Sequence, residues 1–219
     1  MSLPDSTFLS EFSILIGLTV TAALILLVRG WRIALAALVL QYLLAAFLLT
    51  TFVSFPVAVV RATSGFFAAA IVWITMRQVR EAERRSRMDP HDASLDAATA
   101  RLYAPQIFHV GFPFRLIAVL FVTVSIVGVT SSMSFLGLPT YILFGALWLM
   151  SAGILVSVLS RDVPRLGLGI LLFTNGFCIL ETAIEGSLFL YGLLNIADLL
   201  LALVVAHLAS LRIEMGAMP

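Results

Sequence analysis

The chain has 219 residues, 61% of them hydrophobic and 11% charged, with a mean hydropathy of +1.10. Soluble domains carry about 25% charged residues, so a water-soluble globule is excluded. The 13 basic residues are all Arg and face 12 acidic ones, a net charge of +1 without the clustered basic excess of nucleic-acid binding. The absence of Lys excludes Schiff-base chemistry, a retinal pump included, and the single cysteine, Cys178, excludes an internal disulfide or a cysteine metal cluster.

A helix needs about 20 mainly apolar residues to cross about 30 Å of hydrocarbon. That window gives seven spans in chain order: Phe8 to Val28, Ile33 to Phe55, Val57 to Met76, Ile107 to Thr130, Leu138 to Leu159, Leu166 to Thr182 and Leu188 to Ser210. Spans two and three meet at Phe55-Pro56, which predicts a tight hairpin with almost no loop. Pro113 near the start of span four is placed to kink it, because the ring removes a backbone donor. The fold class is therefore an all-α integral membrane protein with seven transmembrane helices.

Arg positions set the orientation, since short cytoplasmic loops collect basic residues. Arg29 and Arg32, the run from Arg77 to Arg101, Arg161 with Arg165, and Arg212 all fall on one side. Asp5, Glu11, the uncharged run from Gly128 to Gly137 and the Glu185-Gly186 turn fall on the other. The chain reads N-out, C-in, with the first span retained as an anchor. It divides into an N-terminal three-helix unit (1–76), a cytoplasmic charged linker (77–106), the fourth helix with its outer loop (107–137) and a C-terminal three-helix unit (138–219). The linker's first part is suited to extend the third helix until Asp89-Pro90, with its Arg residues meeting lipid headgroups or docking a peripheral partner. His91 lies in this linker as a solvated side chain. The two outer units share an orientation, and Arg29, Arg32 and Gln41 lie where Arg161, Arg165 and Thr174-Asn175 lie in the second, so a 3+1+3 parallel duplication is the expectation.

An ionisable side chain at the centre of a membrane helix costs about 2.5 to 3.5 kcal/mol on insertion scales, so each asks for a reason. Asp198 lies almost midway along span seven. Asn175, on the antiparallel span six, falls at about the same depth, close to Gly169, Thr174 and Gly176. A carboxylate and an amide presented to each other there suit a proton or ion relay, or interhelical packing by hydrogen bonding. Glu181 lies two turns beyond Thr174 on the same face, in the outer half, and Glu185 lies near the outer surface. Arg61, one turn into span three, either snorkels outward or pairs with a carboxylate such as Glu181. Arg115 and His109 are interfacial or mark an entry path. His207 lies about 13.5 Å along the helix axis from Asp198 and would need intermediates to reach it. Gln41, mid-span two, is packing amide or relay member. No phosphate loop, H-E-x-x-H, G-x-S-x-G or metal spacing occurs, so no catalytic or metal residues are assigned, and the chain is not catalytic alone.

The run Ser160-Arg-Asp-Val-Pro-Arg-Leu-Gly-Leu-Gly-Ile-Leu-Leu-Phe-Thr-Asn, within Leu138 to Ser210, resembles the small three-helix subunit of complex I and its counterpart in Mrp-type antiporters. Arg161, Gly169 and Asn175 match that family's basic turn, Gly and Asn, and Asp198 falls where its second buried acid belongs. Leu171 stands in place of its first. Length and span number resemble hydrogenase-4 component E, built on the same core, with Arg32 and Gln41 reproducing its basic-turn-to-Gln spacing. There Thr174 replaces the acid before Asn175-Gly176, the Lys of its third span has no equivalent and Arg61 lies only roughly nearby. Glu181 is the candidate replacement for the lost acid. The resemblance implies a membrane subunit of a complex-I-like or group-4 hydrogenase-like redox-coupled assembly, in a bacterial or archaeal cytoplasmic (inner) membrane. Its partners would be antiporter-like and other membrane subunits, with iron-sulfur or nickel-iron centres in those partners and none in this chain. The proton or cation path would use Asp198, Glu181, Asn175, Thr174, Gln41 and His207, with Arg61, Arg115, His109, Arg161 and Arg165 as charge partners. Two other readings stand beside it: a free-standing seven-helix small-solute transporter, and a non-transporting scaffold.

Overall fold

A computed structural model describes residues 6–28, 30–86, 112–132, 137–160 and 162–216. Among the described residues the regular structure is entirely helical: α1 (Ser6–Leu27), α2 (Trp31–Leu49), α3 (Phe55–Ser86), α4 (Phe112–Ser132), α5 (Thr140–Leu159), α6 (Val163–Ile184) and α7 (Leu188–Gly216). Six of them, α2 to α7, are long and apolar enough to cross a membrane, whereas the apolar stretch Ser13–Leu27 of α1 is shorter. Their outward faces carry large apolar side chains such as Phe47, Phe66, Phe121 and Phe189, which suits contact with a lipid bilayer.

Polar and conformational signals set the ends. Spans two and three do not meet at Phe55. Helix α2 stops at Leu49, and the Thr50 and Thr51 hydroxyls donate to the Phe47 and Leu48 carbonyls at 2.6 and 2.8 Å, capping a turn over 50–54. Two hydroxyls that close the last carbonyls locally outweigh the hydrophobicity of the residues that follow. Pro113 is the second residue of α4, where its missing N–H has no helical acceptor, so it starts that helix and does not kink it. Pro56 and Pro164 also lie in first turns. At the end of α6, Gly186 adopts φ +61, the left-handed conformation that turns the chain into α7. Helix α3 has 32 residues, about 48 Å at 1.5 Å per residue, so its basic end projects beyond the apolar zone as the linker composition predicts. The Asp89-Pro90 stop and His91 lie outside the described residues.

Each of the first three helices packs on its counterpart among the last three: α1 on α5, α2 on α6, α3 on α7. Neighbours α1·α2, α2·α3, α5·α6 and α6·α7 also pair, and α4 rests on α1 and α5. The backbones of α5 and α6 approach closely at small residues. A Cβ at Gly153 would lie 2.6 Å from the Gly169 carbonyl, and one at Gly176 would lie 2.7 Å from that of Ala146. The step from Phe55 to Leu188, the first residues of α3 and α7, also carries Arg32 to Arg165 and Ser54 to Ser187. It takes the buried positions Ala58, Gly65, Ala69 and Val72 onto Tyr191, Asp198, Ala202 and Val205, all buried too.

Candidate functional site

Where the two halves meet, α2, α3, α6 and α7 bring polar side chains into an otherwise apolar core. Arg61 Nη1 lies 2.7 Å from Asp198 Oδ2, and both side chains are 0% exposed. The Tyr42 hydroxyl donates to the same Oδ2 at 3.0 Å and approaches the Leu171 carbonyl at 3.4 Å. Arg61 Nε donates to Asn175 Oδ1 at 3.1 Å, and Nη1 also reaches Asn195 Oδ1 at 3.3 Å. The Ser64 hydroxyl donates to that Asn195 oxygen at 2.7 Å, while Asn195 Nδ2 donates to the Tyr191 carbonyl at 2.8 Å. The Tyr191 hydroxyl in turn donates to the Val57 carbonyl at 3.1 Å.

Helical spacing explains why these groups converge. Arg61 and Ser64 lie three residues apart on α3, and Tyr191, Asn195 and Asp198 follow at steps of four and three on α7, so each set occupies one face. Gly65 supplies the room: a Cβ there would overlap the Tyr42 ring. The ring can therefore pack against the α3 backbone, with the Arg61 guanidinium 4.8 Å from its centroid. Removing a guanidinium from water costs several kcal/mol, which is recovered only when charge and hydrogen bonds are matched closely. A carboxylate, two amide oxygens and an aromatic face do so here. Arg61 Nη2, Asp198 Oδ1 and Asn175 Nδ2 are buried without a protein hydrogen-bond partner among the described residues. Each member of the pair thus keeps one polar atom that no described residue binds.

The expected outward snorkelling of Arg61 does not occur; the alternative, pairing with a carboxylate, does, but the partner is Asp198 and not Glu181. The side chain points into the bundle because Asp198 lies there at its depth, and a buried carboxylate attracts it more strongly than an interface does. Asp198 and Asn175 are brought together as expected at one level, but through Arg61 and not by a direct bond. Thr174 lies beside them; its hydroxyl bonds the Leu171 carbonyl at 3.1 Å. Glu181 is buried, with Oε2 3.5 Å from the Thr182 hydroxyl and Oε1 unpartnered; no described bond joins it to the cluster. Gln41 is fully buried one residue from Tyr42, and its Oε1 receives the Thr21 hydroxyl of α1. His207 is exposed, whereas the face of α7 that continues from Asp198 runs through Ala202, Val205 and Ala209, so the structure does not bring it to the site. At the basic end of the bundle, Arg115 Nη1 donates to the Leu26 carbonyl at 3.3 Å and Arg165 Nη2 to that of Val28 at 2.7 Å. His109 and Arg161 lie outside the described residues.

Sequence reasoning passed over Tyr42, Ser64, Tyr191 and the role of Asn195. The signal for Asn195 was present, since an amide three residues before a mid-span acid shares its face. Tyr42 gave none, because an aromatic in a membrane span packs against apolar groups by default.

The fold and the site together define an all-helical, multi-pass membrane protein with a charged pair buried between α3 and α7. Comparisons with protein-family models, with curated proteins and with solved structures find no match to this chain.

Proposed function

We propose that this chain is a membrane subunit of a complex-I-like or group-4 hydrogenase-like redox-coupled assembly, and that Asp198 is its proton-carrying group. The observation that carries this is the buried Arg61–Asp198 pair, whose carboxylate keeps one oxygen without a hydrogen-bond partner among the described residues. Asn175 and Asp198, two of the positions on which the sequence resemblance rests, converge on one guanidinium, that of Arg61 on α3. Protonation of Asp198 leaves Arg61 without a counter-charge, although Asn175 and Asn195 still accept its hydrogen bonds. A buried uncompensated cation is costly, so proton uptake is coupled to a shift of Arg61 or to the approach of another anion. The second buried acid, Glu181, is the candidate for that charge. The redox centres belong to partner subunits.

The topology that accompanies this reading is seven spans, N-out and C-in, with the halves related by internal duplication and α4 as the link. The common register of α3 with α7 and the pairing of each helix with its counterpart support it. The same placement of the cluster between two parallel repeats favours a second reading, a free-standing small-solute transporter. Proline at helix starts, with no helix broken in mid-span, favours the first.

Extraction in mild detergent followed by identification of co-purifying chains separates the two. Large antiporter-like and iron-sulfur or hydrogenase-like partners support the assembly, and a monodisperse lone chain overturns it. Within the assembly, Asp198→Asn should abolish coupled ion transport while the complex still forms; unchanged transport would leave the pair a packing device.

A further inference from the structure

At the basic end of the bundle, α2 and α3 enclose a cleft of about 650 Å³ lined by Trp31, Arg32, Trp73, Arg77, Arg80 and Glu81. Three guanidinium groups are held there against two indoles. Arg32 and Arg80 lie 5.6 and 5.4 Å from the Trp31 ring centroid, and Arg77 lies 5.9 Å from that of Trp73. Arg80 thus reaches across from α3 to a ring on α2. The cleft opens at the first turn of α2, whose N-cap, Gly30, has no side chain to occupy the free N–H groups, so the positive end of that helix adds to the three cations. Among the described residues that line it, the one acid is Glu81, which takes Nε of Arg77 at 3.1 Å, and both side chains are more than half exposed.

We infer that this cleft is a binding site for the phosphate headgroup of an anionic phospholipid. Its charge and helix end call for an anion, and phosphate suits several guanidinium donors at once. A lipid is favoured over a free ion because the cleft stands where two membrane helices leave the apolar zone. Indoles at that level mark the headgroup layer. Directly along the same helices run exposed Ile33, Leu40, Phe66 and Ile74, an apolar surface for acyl chains below a fixed headgroup. Basic pockets between membrane helices bind anionic headgroups in this manner. The bound lipid would tie the projecting end of α3 to the start of α2. The cleft shares no lining residue with the Arg61–Asp198 cluster, so it stands or falls separately from the proposed transport role.

The full chain, delipidated in mild detergent, is titrated with dioleoyl-phosphatidylglycerol, with dioleoyl-phosphatidylcholine and with inorganic phosphate, and bound lipid is counted by native mass spectrometry. Expected is retention of phosphatidylglycerol over phosphatidylcholine by roughly tenfold or more, lost in the combined Arg32→Gln, Arg77→Gln, Arg80→Gln variant. Glu81→Gln, which removes the opposing charge, should raise phosphatidylglycerol retention several-fold, a gain that misfolding does not produce. Equal retention of the two lipids by the wild type, an unaltered preference in the triple variant, or no gain in Glu81→Gln overturns the site. Displacement of the lipid by millimolar phosphate would make the ligand a free anion and overturn the lipid assignment.

Discussion

Tyr42 meets Arg61 and its counter-ion at once: the ring lies 4.8 Å below the guanidinium carbon while the hydroxyl donates to the Asp198 oxygen that Arg61 also binds. One side chain from α2 thereby fixes both members of a pair contributed by α3 and α7. The same hydroxyl borders the Leu171 carbonyl, so Tyr42 also joins α2 to α6.

Loss of either charge alone should be severe. Arg61→Met or Asp198→Leu each leaves an uncompensated buried ion and should cost about 3 to 5 kcal/mol, whereas the double variant should recover most of that loss. Thermal unfolding in detergent, arranged as a double-mutant cycle, measures the coupling. Additive losses would show that the pair does not act as a unit.

Tyr42→Phe keeps the aromatic face and removes the donor to Asp198. A destabilisation of about 1 to 3 kcal/mol is expected, with the bundle intact by circular dichroism. Tyr42→Ala should cost more, because the guanidinium loses its ring and Gly65 its packing partner.

At the α5–α6 contact, Gly153→Leu should separate the two helices, since even a methyl group there meets the Gly169 carbonyl and the Phe173 backbone. A loss above about 3 kcal/mol is expected, together with a lower yield of folded chain. A wild-type melting temperature would mean that the helices are not this close.

Glu181→Gln separates structure from transport. Its only described side-chain partner is the neighbouring Thr182 hydroxyl at 3.5 Å, and a neutral amide is easier to bury than a carboxylate. The melting temperature should stay level or rise. If Glu181 supplies the acid that Thr174 does not, ion translocation by the assembled complex should fall in the same variant.

The sequence showed depth far better than direction. Hydropathy located the apolar part of α2 to α7, although Thr50 and Thr51 close α2 early and α3 and α7 run on past Met76 and Ser210 to Ser86 and Gly216, and it set Asp198 and Asn175 at one level. Which way a side chain faces depends on its neighbours. Arg61 lies close enough to a helix start to snorkel, and only the presence of Asp198 across the α3–α7 contact turns it inward. Gln41 is buried within α2, but its partner, Thr21, belongs to a helix whose register no spacing on α2 reveals. Tyr42 became legible only once Gly65 was seen to make room for its ring.

The clasp at the basic end bears on the order in which the chain assembles. Carbonyls at the end of α1 have no further helical turn to receive, and those of Leu26 and Val28 take their donors from Arg115 on α4 and Arg165 on α6. As synthesis proceeds from the N-terminus, α1 emerges with these groups open and is completed only when residues far downstream have been inserted. Helix α1 is therefore finished late: a chain cut short before α6 can form the Arg115–Leu26 bond but lacks the Arg165–Val28 bond.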